Sequence, residues 1–300
     1  MPTIQANGIE LYYEERGEAS GVPLLLIMGL GRQLIAWPED FMAQLVAAGY
    51  RVILYDNRDV GLSTHFPHAR VASPLRAMVG LVFGLGFPTA YSLQDMARDG
   101  VALLDHLGID AAHIVGVSMG GMIAQNMAIH HPARVRSLIS IMSTSGARGL
   151  PGAPPRLRRA LLQRRSGQMD RDAAIKAGVR TLELISYPDP ARLADAFANH
   201  VAAAYDRAFD PKASLRQLMA VLADTGRADA LSRIQAPTLV IHGRHDQLVP
   251  LACGQDTARR IPGARFEVIE AMAHDLPPSR MPQMADLIIA HARAVDKAGR

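Results

Sequence analysis

The sequence predicts an α/β protein in which helices cover both faces of a mostly parallel sheet. Short apolar runs alternate along the 300 residues with helical patterns, and right-handed crossovers of this kind join parallel strands. The composition, 49% hydrophobic and 20% charged, is that of a folded protein. A largely disordered chain is therefore excluded.

The predicted elements follow one another in regular order. Apolar and β-branched runs predict strands at residues 9–14, 23–28, 51–55, 112–117, 135–142, 238–242 and 265–269. Helical spacing of apolar residues predicts helices at residues 39–48, 93–107, 119–130, 251–260 and 281–294. The second of these helices begins after a capping-box pattern, Ser92-Leu-Gln-Asp95.

The alternation stops between residues 145 and 233. No strand pattern occurs there, a Pro-Gly-Ala-Pro-Pro run marks a break at 151–155, and several helical stripes follow. We predict a helical cap at 145–233, inserted into a core made of residues 1–144 and 234–300. Ligands of such sheets bind beyond the carboxyl ends of the strands, so the cap is expected to cover the site.

The net charge of +4 is concentrated in one segment. Residues 156–172 contain six arginines and two aspartates, which equals the whole excess. An arginine-rich helix face is typical of a solvated surface, so we expect no nucleic-acid partner. The single cysteine, Cys253, excludes an intrachain disulfide and a Cys-rich zinc site. The sequence contains no metal-ligand spacing or phosphate loop, and we predict neither a metal nor a cofactor.

Two features of the sequence concern protein targeting and membrane insertion. The first residues lack the charged and apolar regions of a signal peptide, which predicts a cytoplasmic protein. The longest apolar stretch, 77–87, contains three glycines and is too short to cross a bilayer, so no stable membrane insertion is expected. This stretch either lines a pocket, with Phe83 and Phe87 as candidate lining residues, or packs beneath the helical insertion.

The segment Gly116-Val-Ser118-Met-Gly120 has the strongest functional signal in the chain. A predicted strand runs directly into it and a predicted helix runs directly out. This strand–turn–helix context is that of a nucleophile elbow, in which a strained backbone exposes the serine at a helix N-terminus. Only small residues fit at Gly116 and Gly120 in such a turn. The alternative is an ordinary Gly/Ser turn that caps a helix.

A serine nucleophile needs a general base. Among the eleven histidines, His274 is the candidate base; it lies in the loop just after the last predicted strand and before the last predicted helix. His242 and His245 surround the end of another strand and are the main rivals. His106 and His113 flank a helix-to-strand turn and are interpreted as surface positions.

The base needs an acid to orient it. Asp246 follows a buried strand, where a rigid sheet can hold a carboxylate for the histidine of a neighbouring loop; the alternative is a turn or N-cap aspartate. Asp275 is adjacent to His274, so its side chain is expected to diverge from the imidazole. The order Ser118, Asp246, His274 along the chain is the order expected for this elbow.

The oxyanion of an acyl-transfer reaction needs two backbone N–H groups. Met119, which follows the nucleophile, is expected to supply one, and Leu30, between Gly29 and Gly31, the other. The alternative for the glycine pair is an ordinary strand-ending turn. Trp37 lies slightly downstream and either lines the pocket or packs in the core.

The elbow, Asp246, His274, the helical insertion and the segment 55–63 (Tyr-Asp-Asn-Arg-Asp-Val-Gly-Leu-Ser) together resemble an α/β-hydrolase. The likeness covers nearly the whole chain. Met28-Gly29 followed by Trp37-Pro38 is similar to aclacinomycin methylesterase-like esterases, which cleave a methyl ester on a polyketide.

The resemblance implies an α/β-hydrolase fold with a helical cap over an apolar pocket. It implies Ser118 as nucleophile, His274 as base and Asp246 as its orienting acid. It also implies an oxyanion hole formed by the N–H groups of Leu30 and Met119.

The chain departs from relatives of this family at two places. Many relatives carry His-Gly where this chain has Met28-Gly29, and the Gly-Gly-Gly variant of lipases is absent. Serine at position 118 argues against haloalkane dehalogenases and epoxide hydrolases, which have aspartate there.

We therefore predict a carboxylic ester hydrolase whose partners are a small hydrophobic ester and water. The same triad serves cofactor-free haloperoxidases or perhydrolases, C–C bond hydrolases, lactonases and thioesterases, and these remain alternatives. A non-catalytic ligand receptor built on a hydrolase shell is a further alternative of another class. The natural substrate and the oligomeric state stay open.

Overall fold

The structure contains an eight-stranded, mostly parallel sheet. A computed structural model describes residues 3–69, 76–77, 80, 87–162, 170–210 and 212–298. The strands are β1 (Thr3–Ala6), β2 (Ile9–Arg16), β3 (Val22–Ile27), β4 (Tyr50–Tyr55), β5 (Ala112–Val117), β6 (Val135–Ile141), β7 (Thr238–Gly243) and β8 (Arg265–Ile269). Their order across the sheet is β1-β2-β4-β3-β5-β6-β7-β8. The β1/β2 and β2/β4 pairs are antiparallel, and all other neighbours are parallel.

The described residues form ten α-helices, apart from the helical residues at 76–77 and 80. They are α1 (Glu39–Ala47), α2 (Leu93–His106), α3 (Met119–His130), α4 (Pro155–Leu162), α5 (Arg171–Ile185), α6 (Ala196–Arg207), α7 (Ala213–Ala223), α8 (Arg227–Ala230), α9 (Leu251–Arg260) and α10 (Met281–Ala298). We call α4 to α8, which lie between β6 and β7 in the chain, the insertion helices. Ser92 caps α2 through the predicted capping box with Asp95.

Side chains of the central strands alternate between two hydrophobic layers, as they do when both faces of a parallel sheet are covered. Leu25 and Ile27 of β3 pack on one side with residues of α2 and α3. Leu24 and Leu26 of the same strand pack on the other side with residues of α1 and α10. The helices that the sequence predicted around the sheet therefore form its two covering layers.

The predicted elements of the sheet layers agree closely with the observed ones. The α/β class is confirmed, and among the described residues between β6 and β7 there are helices and no strand. The strand Thr3–Ala6 was not predicted; it pairs antiparallel with β2. Most of the apolar stretch 77–87, including Phe83, lies outside the described residues. Over the described part of the chain, no helix combines the length and apolar character needed to cross a membrane.

Buried ion pairs join the insertion helices to the core. Arg216 of α7 binds both carboxylate oxygens of Asp59 at 2.7 and 2.8 Å, and both residues are almost fully buried. Arg207 of α6 pairs with the buried Asp56 at 2.6 Å. Low solvent access makes these contacts stronger than surface pairs, although it also makes an unpaired partner costly. The insertion helices are therefore held to the loop after β4 by buried charges, and separation of either pair would be costly.

Candidate active site

Four loops meet at one edge of the sheet because they leave the carboxyl ends of parallel strands. The loop after β3 contains Leu30, and Ser118 follows β5 directly. Asp246 lies in the loop after β7, and His274 lies in the loop after β8. The parallel registers of β3, β5, β6, β7 and β8 keep these strand ends side by side. This is the edge at which open α/β sheets bind ligands.

The backbone at Ser118 is strained, as the elbow prediction requires. Its φ is +57° and its ψ is −118°, a conformation that residues with a side chain rarely adopt. Hydrogen bonds on both sides hold this conformation. The Ser118 N–H donates to the Ile141 carbonyl at 2.9 Å, and the Ser118 carbonyl accepts from Gly121 N–H at 3.0 Å and from Ser143 Oγ at 2.8 Å.

The glycines on either side of Ser118 are sterically required. A Cβ atom at Gly116 would lie 2.1 Å from the Gly120 carbonyl oxygen, and one at Gly120 would lie 2.1 Å from the Ile27 carbonyl oxygen. Both obstacles are backbone atoms, which cannot rotate away as a side chain can. The close approach of strand β5, the turn and strand β3 thus leaves no room for a side chain at these two residues.

Ser118, His274 and Asp246 form a continuous chain of hydrogen bonds. Ser118 Oγ and His274 Nε2 are 3.0 Å apart, and His274 Nδ1 and Asp246 Oδ2 are 2.7 Å apart. Since an ionised carboxylate can only accept, the Nδ1–H donates to Asp246, which leaves Nε2 as an acceptor for the Ser118 hydroxyl. Residues separated by up to 156 positions are thereby brought within bonding distance.

Asp246 is held as an anion. Burial alone would raise the pKa of this carboxyl, but the neighbouring His274 and His242 outweigh burial and lower the pKa to about 2. Its second oxygen, Oδ1, accepts from the N–H groups of Leu248 and Val249 at 2.9 and 2.8 Å. Hydrogen bonds to the charged form favour ionisation. The carboxylate is therefore ionised and fixed in orientation at neutral pH.

The rival histidines lie elsewhere. His242 is fully buried beside Asp246, where its Nε2 donates to the Val249 carbonyl at 2.8 Å and lies 3.5 Å from Asp246 Oδ2. The ring of His245 packs against Tyr187, with 5.2 Å between ring centroids. Among the described residues, the imidazole that is hydrogen-bonded to Ser118 Oγ is that of His274. His242 thus contributes a second imidazole to the carboxylate rather than a contact to the serine.

The loop after β3 packs against Ser118. A Cβ atom at Gly29 would lie 3.2 Å from Ser118 Cβ, and Arg32 N–H donates back to the Gly29 carbonyl at 3.1 Å. Within the described residues, the Leu30 N–H has no protein acceptor. Met119 is the first residue of α3, where N–H groups have no acceptor inside the helix. Among the described residues, neither of these two N–H groups has a protein acceptor.

Two side chains from the loop after β4 hold this segment at its ends. Asn57 Nδ2 donates to the Met28 carbonyl at 3.0 Å, and Asp56 Oδ1 accepts from Leu34 N–H at 2.8 Å. Both side chains are buried. Sequence reasoning did not assign them this task, although both belong to the segment 55–63 that carries the family resemblance.

The loop that carries His274 is bound to the insertion. His274 N–H donates to the Ile185 carbonyl at the end of α5, at 2.9 Å. Asp275 accepts from Tyr187 N–H at 3.1 Å and forms an ion pair with Arg192. The Asp275 side chain therefore points towards the segment after α5, where it binds Tyr187 N–H and Arg192.

The candidate pocket-lining residues have different environments. Trp37 is 2% exposed and its ring stacks on Phe41, so core packing accounts for its burial. Phe87 is half-buried against a small cluster that contains Ala77 and Met219. Phe83 lies outside the described residues.

The interpretation of His113 as a surface residue is wrong. His113 is fully buried in β5, with Nδ1 2.7 Å from Ser137 Oγ and Nε2 3.2 Å from Asp296. Burial lowers the pKa of its imidazole to about 4. The local sequence favours a surface position for His113, because it is a polar residue at the start of an apolar strand. Its partners lie on β6 and α10, and the local sequence does not show them.

One group of side chains among the described residues has the spacing of a metal site. Asp59, His65 and Asp210 bring one ligand atom each within 4.8 Å of one another. However, the guanidinium of Arg216 binds both Asp59 oxygens and also Asp210, at 2.5 Å. Arginine therefore already supplies the positive charge for these carboxylates.

Comparison with known proteins identifies the class to which this fold and site belong. A family model described as the alpha/beta hydrolase fold matches residues 22–278. Rhodomycin D methylesterase of Streptomyces peucetius is 30% identical, over 98% of this chain and 99% of the relative. A putative carbamate hydrolase of Variovorax paradoxus is 32% identical, over 83% of each chain. A meta-cleavage product hydrolase from Pseudomonas fluorescens superposes with a TM-score of 0.74, at 21% identity over 98% of both chains, a likeness of fold alone.

The chain belongs to the α/β-hydrolase family. Its resemblance to aclacinomycin methylesterase-like esterases is also confirmed, since a methylesterase matches it over nearly the full length of both chains.

Proposed function

We propose that the protein is a serine hydrolase that cleaves carboxylic esters through an acyl-enzyme. Ser118 is the nucleophile, His274 the general base and Asp246 the acid that orients it. The observation that carries this proposal is the unbroken hydrogen-bond chain, 3.0 Å from Ser118 Oγ to His274 Nε2 and 2.7 Å from His274 Nδ1 to Asp246. A base at this distance can take the hydroxyl proton as the oxygen attacks.

The reaction has two steps of the same kind. In the first, Ser118 Oγ bonds to the ester carbonyl carbon while its proton passes to His274 Nε2. The tetrahedral intermediate then loses the alkoxide, which takes that proton and leaves as the alcohol. In the second, water gives a proton to His274 and attacks the acyl-enzyme, which releases the acid and restores Ser118. The ionised Asp246 stabilises the imidazolium that forms in each step.

The negative charge on the carbonyl oxygen is stabilised by the N–H groups of Leu30 and Met119. Support comes from the contact between Gly29 and Ser118 and from the lack of a protein acceptor for Leu30 N–H among the described residues. In comparable sites, loss of one such donor raises the barrier by ~3–4 kcal/mol. The N-terminus of α3 adds a favourable dipole at the same point.

The proposed substrates are small hydrophobic esters, including methyl esters and esters of aromatic acids. The similarity to a methylesterase supports this class, and the similarity to a putative carbamate hydrolase supports a related carbonyl chemistry. We further propose that residues 145–233 form a cap over the site. The hydrogen bond from His274 N–H to the Ile185 carbonyl and the pairing of Arg192 with Asp275 support this arrangement.

The test is a panel of p-nitrophenyl esters of increasing chain length, with methyl esters of aromatic acids alongside, assayed with wild-type protein and Ser118→Ala. We expect hydrolysis by the wild type and a loss of at least ~10⁴-fold in kcat/KM for Ser118→Ala. The matched control is Ser232→Ala, since Ser232 Oγ donates to the Asp229 carbonyl at an exposed position, at 3.0 Å, and it is expected to retain full activity.

Labelling with a fluorophosphonate separates the remaining alternatives. We expect the wild type and Ser232→Ala to be labelled and Ser118→Ala to remain unlabelled. Undiminished ester turnover by Ser118→Ala would refute the assignment of the nucleophile. Labelling without turnover of any ester would instead favour peroxide or C–C bond chemistry at the same triad.

A further inference from the structure

A glutamine of the insertion reaches the loop that follows β3. Gln217 lies on α7 and is fully buried. Its Oε1 accepts from Gly31 N–H at 2.7 Å, and its Nε2 donates to the Arg58 carbonyl at 2.9 Å. A buried amide with both ends satisfied by backbone groups is held in one orientation.

The residue that Gln217 contacts is next to the proposed oxyanion donor. The Arg32 N–H to Gly29 carbonyl bond closes a four-residue turn with Leu30 and Gly31 at its centre. Gly31 has a φ of +67°, which is what the third residue of a type II turn requires. In such a turn the central peptide has one of two opposite orientations. A hydrogen bond from Gly31 N–H to Gln217 selects one of them.

The same helix also packs closely on this turn. A Cβ atom at Gly31 would lie 2.5 Å from Ser214 Oγ of α7. The turn is thus enclosed by Ser118 at Gly29 and by α7 at Gly31, with Leu30 between them. Asn57 and Asp56 hold the two ends of the loop, and Gln217 is the side chain that binds its centre.

We propose that Gln217 is a positioning residue that sets the geometry of the oxyanion hole from the insertion. The inference rests on the proposed function, because it assigns Leu30 N–H as an oxyanion donor. Gln217 touches no reacting atom and acts through the Leu30–Gly31 peptide. Without it, the turn loses its bond at Gly31, and the backbone on either side is less rigidly held. The Leu30 N–H, which belongs to the adjoining Gly29–Leu30 peptide, then shifts with the turn. Errors of about 1 Å in such groups can cost ~100-fold in rate.

The test compares two glutamines that both join the insertion to the core. Gln217→Met removes the hydrogen bond to Gly31 while it keeps the length of the side chain. Gln125→Met is the matched control, because the buried Gln125 of α3 lies outside this loop, accepts from Arg227 of the insertion helices and donates to Ser140 Oγ. Both variants lose buried hydrogen bonds between insertion and core, but only Gln217→Met releases the turn.

Three quantities are measured for each variant: kcat and KM for a p-nitrophenyl ester, and Ki for a trifluoromethyl ketone. The ketone forms a tetrahedral adduct with the serine and depends on the oxyanion hole as the transition state does. For Gln217→Met we expect kcat to fall about 30-fold, KM to change less than about 2-fold, and Ki to rise in parallel with the loss in kcat/KM. For Gln125→Met we expect kcat and Ki to stay within about 3-fold of the wild type.

Equal losses in the two variants, or an unchanged Ki in Gln217→Met, would overturn the proposal. If Gln217→Met is not recovered as folded protein, Gln217→Glu decides the question, because glutamate keeps an acceptor for Gly31 N–H. A folded Gln217→Glu variant with kcat and Ki within about 5-fold of the wild type supports the proposal, and a larger loss overturns it. Failure of the proposed function is a separate result, since the wild type itself would then hydrolyse no ester.

Discussion

The low pKa of Asp246 depends on two imidazoles. His274, from the loop after β8, and His242, from strand β7, face its carboxylate at 2.7 and 3.5 Å. They lower the pKa to about 2 although burial opposes ionisation. The ordinary value for an aspartate is 3.8. Because the folded-state pKa is depressed, the ionised carboxylate stabilises the fold above the ordinary value. That stability is lost as the pH falls towards 2.

This electrostatic contribution can be measured with Asp246→Asn. We expect the unfolding free energy of the wild type to be larger than that of Asp246→Asn. This difference should decrease by about 1 kcal/mol as the pH falls from 5 to 3. Urea denaturation of both proteins across this range provides the measurement. A margin that is constant with pH, or that widens as the pH falls, would contradict the direction of the pKa shift.

At the level of secondary structure, the elbow is a close contact between three backbone segments. Gly120 is the point where the start of α3 meets the end of β3, and a methyl group there would lie 2.1 Å from the Ile27 carbonyl oxygen. The turn can therefore form only if the strand, the helix and the neighbouring strand approach without side chains between them.

Gly120→Ala should destabilise the protein by about 3 kcal/mol or more, because either β3 or α3 has to move. Gly152→Ala is the matched control: its new Cβ would meet no atom within 4 Å, so its effect should stay within about 0.5 kcal/mol. Thermal or chemical denaturation of both variants tests this. Similar stabilities for the two would mean that the packing at the elbow tolerates a side chain.

The elements of the sheet and the elbow were predictable because their signals are local. A β-branched run before Gly116 and an apolar helical pattern after Gly120 are visible within about twenty residues of sequence. The strand Thr3–Ala6 was missed because four residues carry too short a pattern, and its pairing with β2 stabilises it. His113 was assigned to the surface because its partners, Ser137 and Asp296, come from β6 and α10.

The contacts that orient the candidate site could not be predicted from the sequence, because their partners are far apart along the chain. Gln217 and Gly31 are 186 residues apart, and a glutamine on an amphipathic helix has no pattern that distinguishes a buried partner from a solvated one. Ser118, Asp246 and His274 are predictable as candidates because each follows a recognisable strand. The side chains that support them belong to other loops and helices.

At the scale of the whole molecule, buried ion pairs join the insertion helices to the core. Asp59 is bound by Arg216 on both oxygens and also accepts from Tyr91 Oη at 2.6 Å and Phe66 N–H at 2.8 Å. Removal of one charge from such a group leaves the other buried without its partner, which costs more than the pair itself contributes.

We expect Arg216→Met to lower the unfolding free energy by about 3–5 kcal/mol. The loss of unfolding free energy in the Arg216→Met/Asp59→Asn double variant should be smaller than the sum of the two single losses. We expect this difference to be at least about 1 kcal/mol. A double-mutant cycle by urea denaturation measures both values. Arg171→Met is the control, since its ion pair with Asp206 joins two insertion helices at the exposed surface, and it should cause no measurable change. Additive single effects would show that the two charges do not depend on each other.

The hydrogen bond from His274 N–H to the Ile185 carbonyl has a consequence for protein engineering. A chimera that receives the helical segment of a relative, in order to acquire its substrate range, also exchanges the acceptor that holds the proposed base, His274. The grafted segment must then supply a carbonyl that accepts from His274 N–H at the same point. Otherwise we expect the chimera to hydrolyse all substrates more slowly. The transferable unit is therefore the segment together with the loop that follows β8.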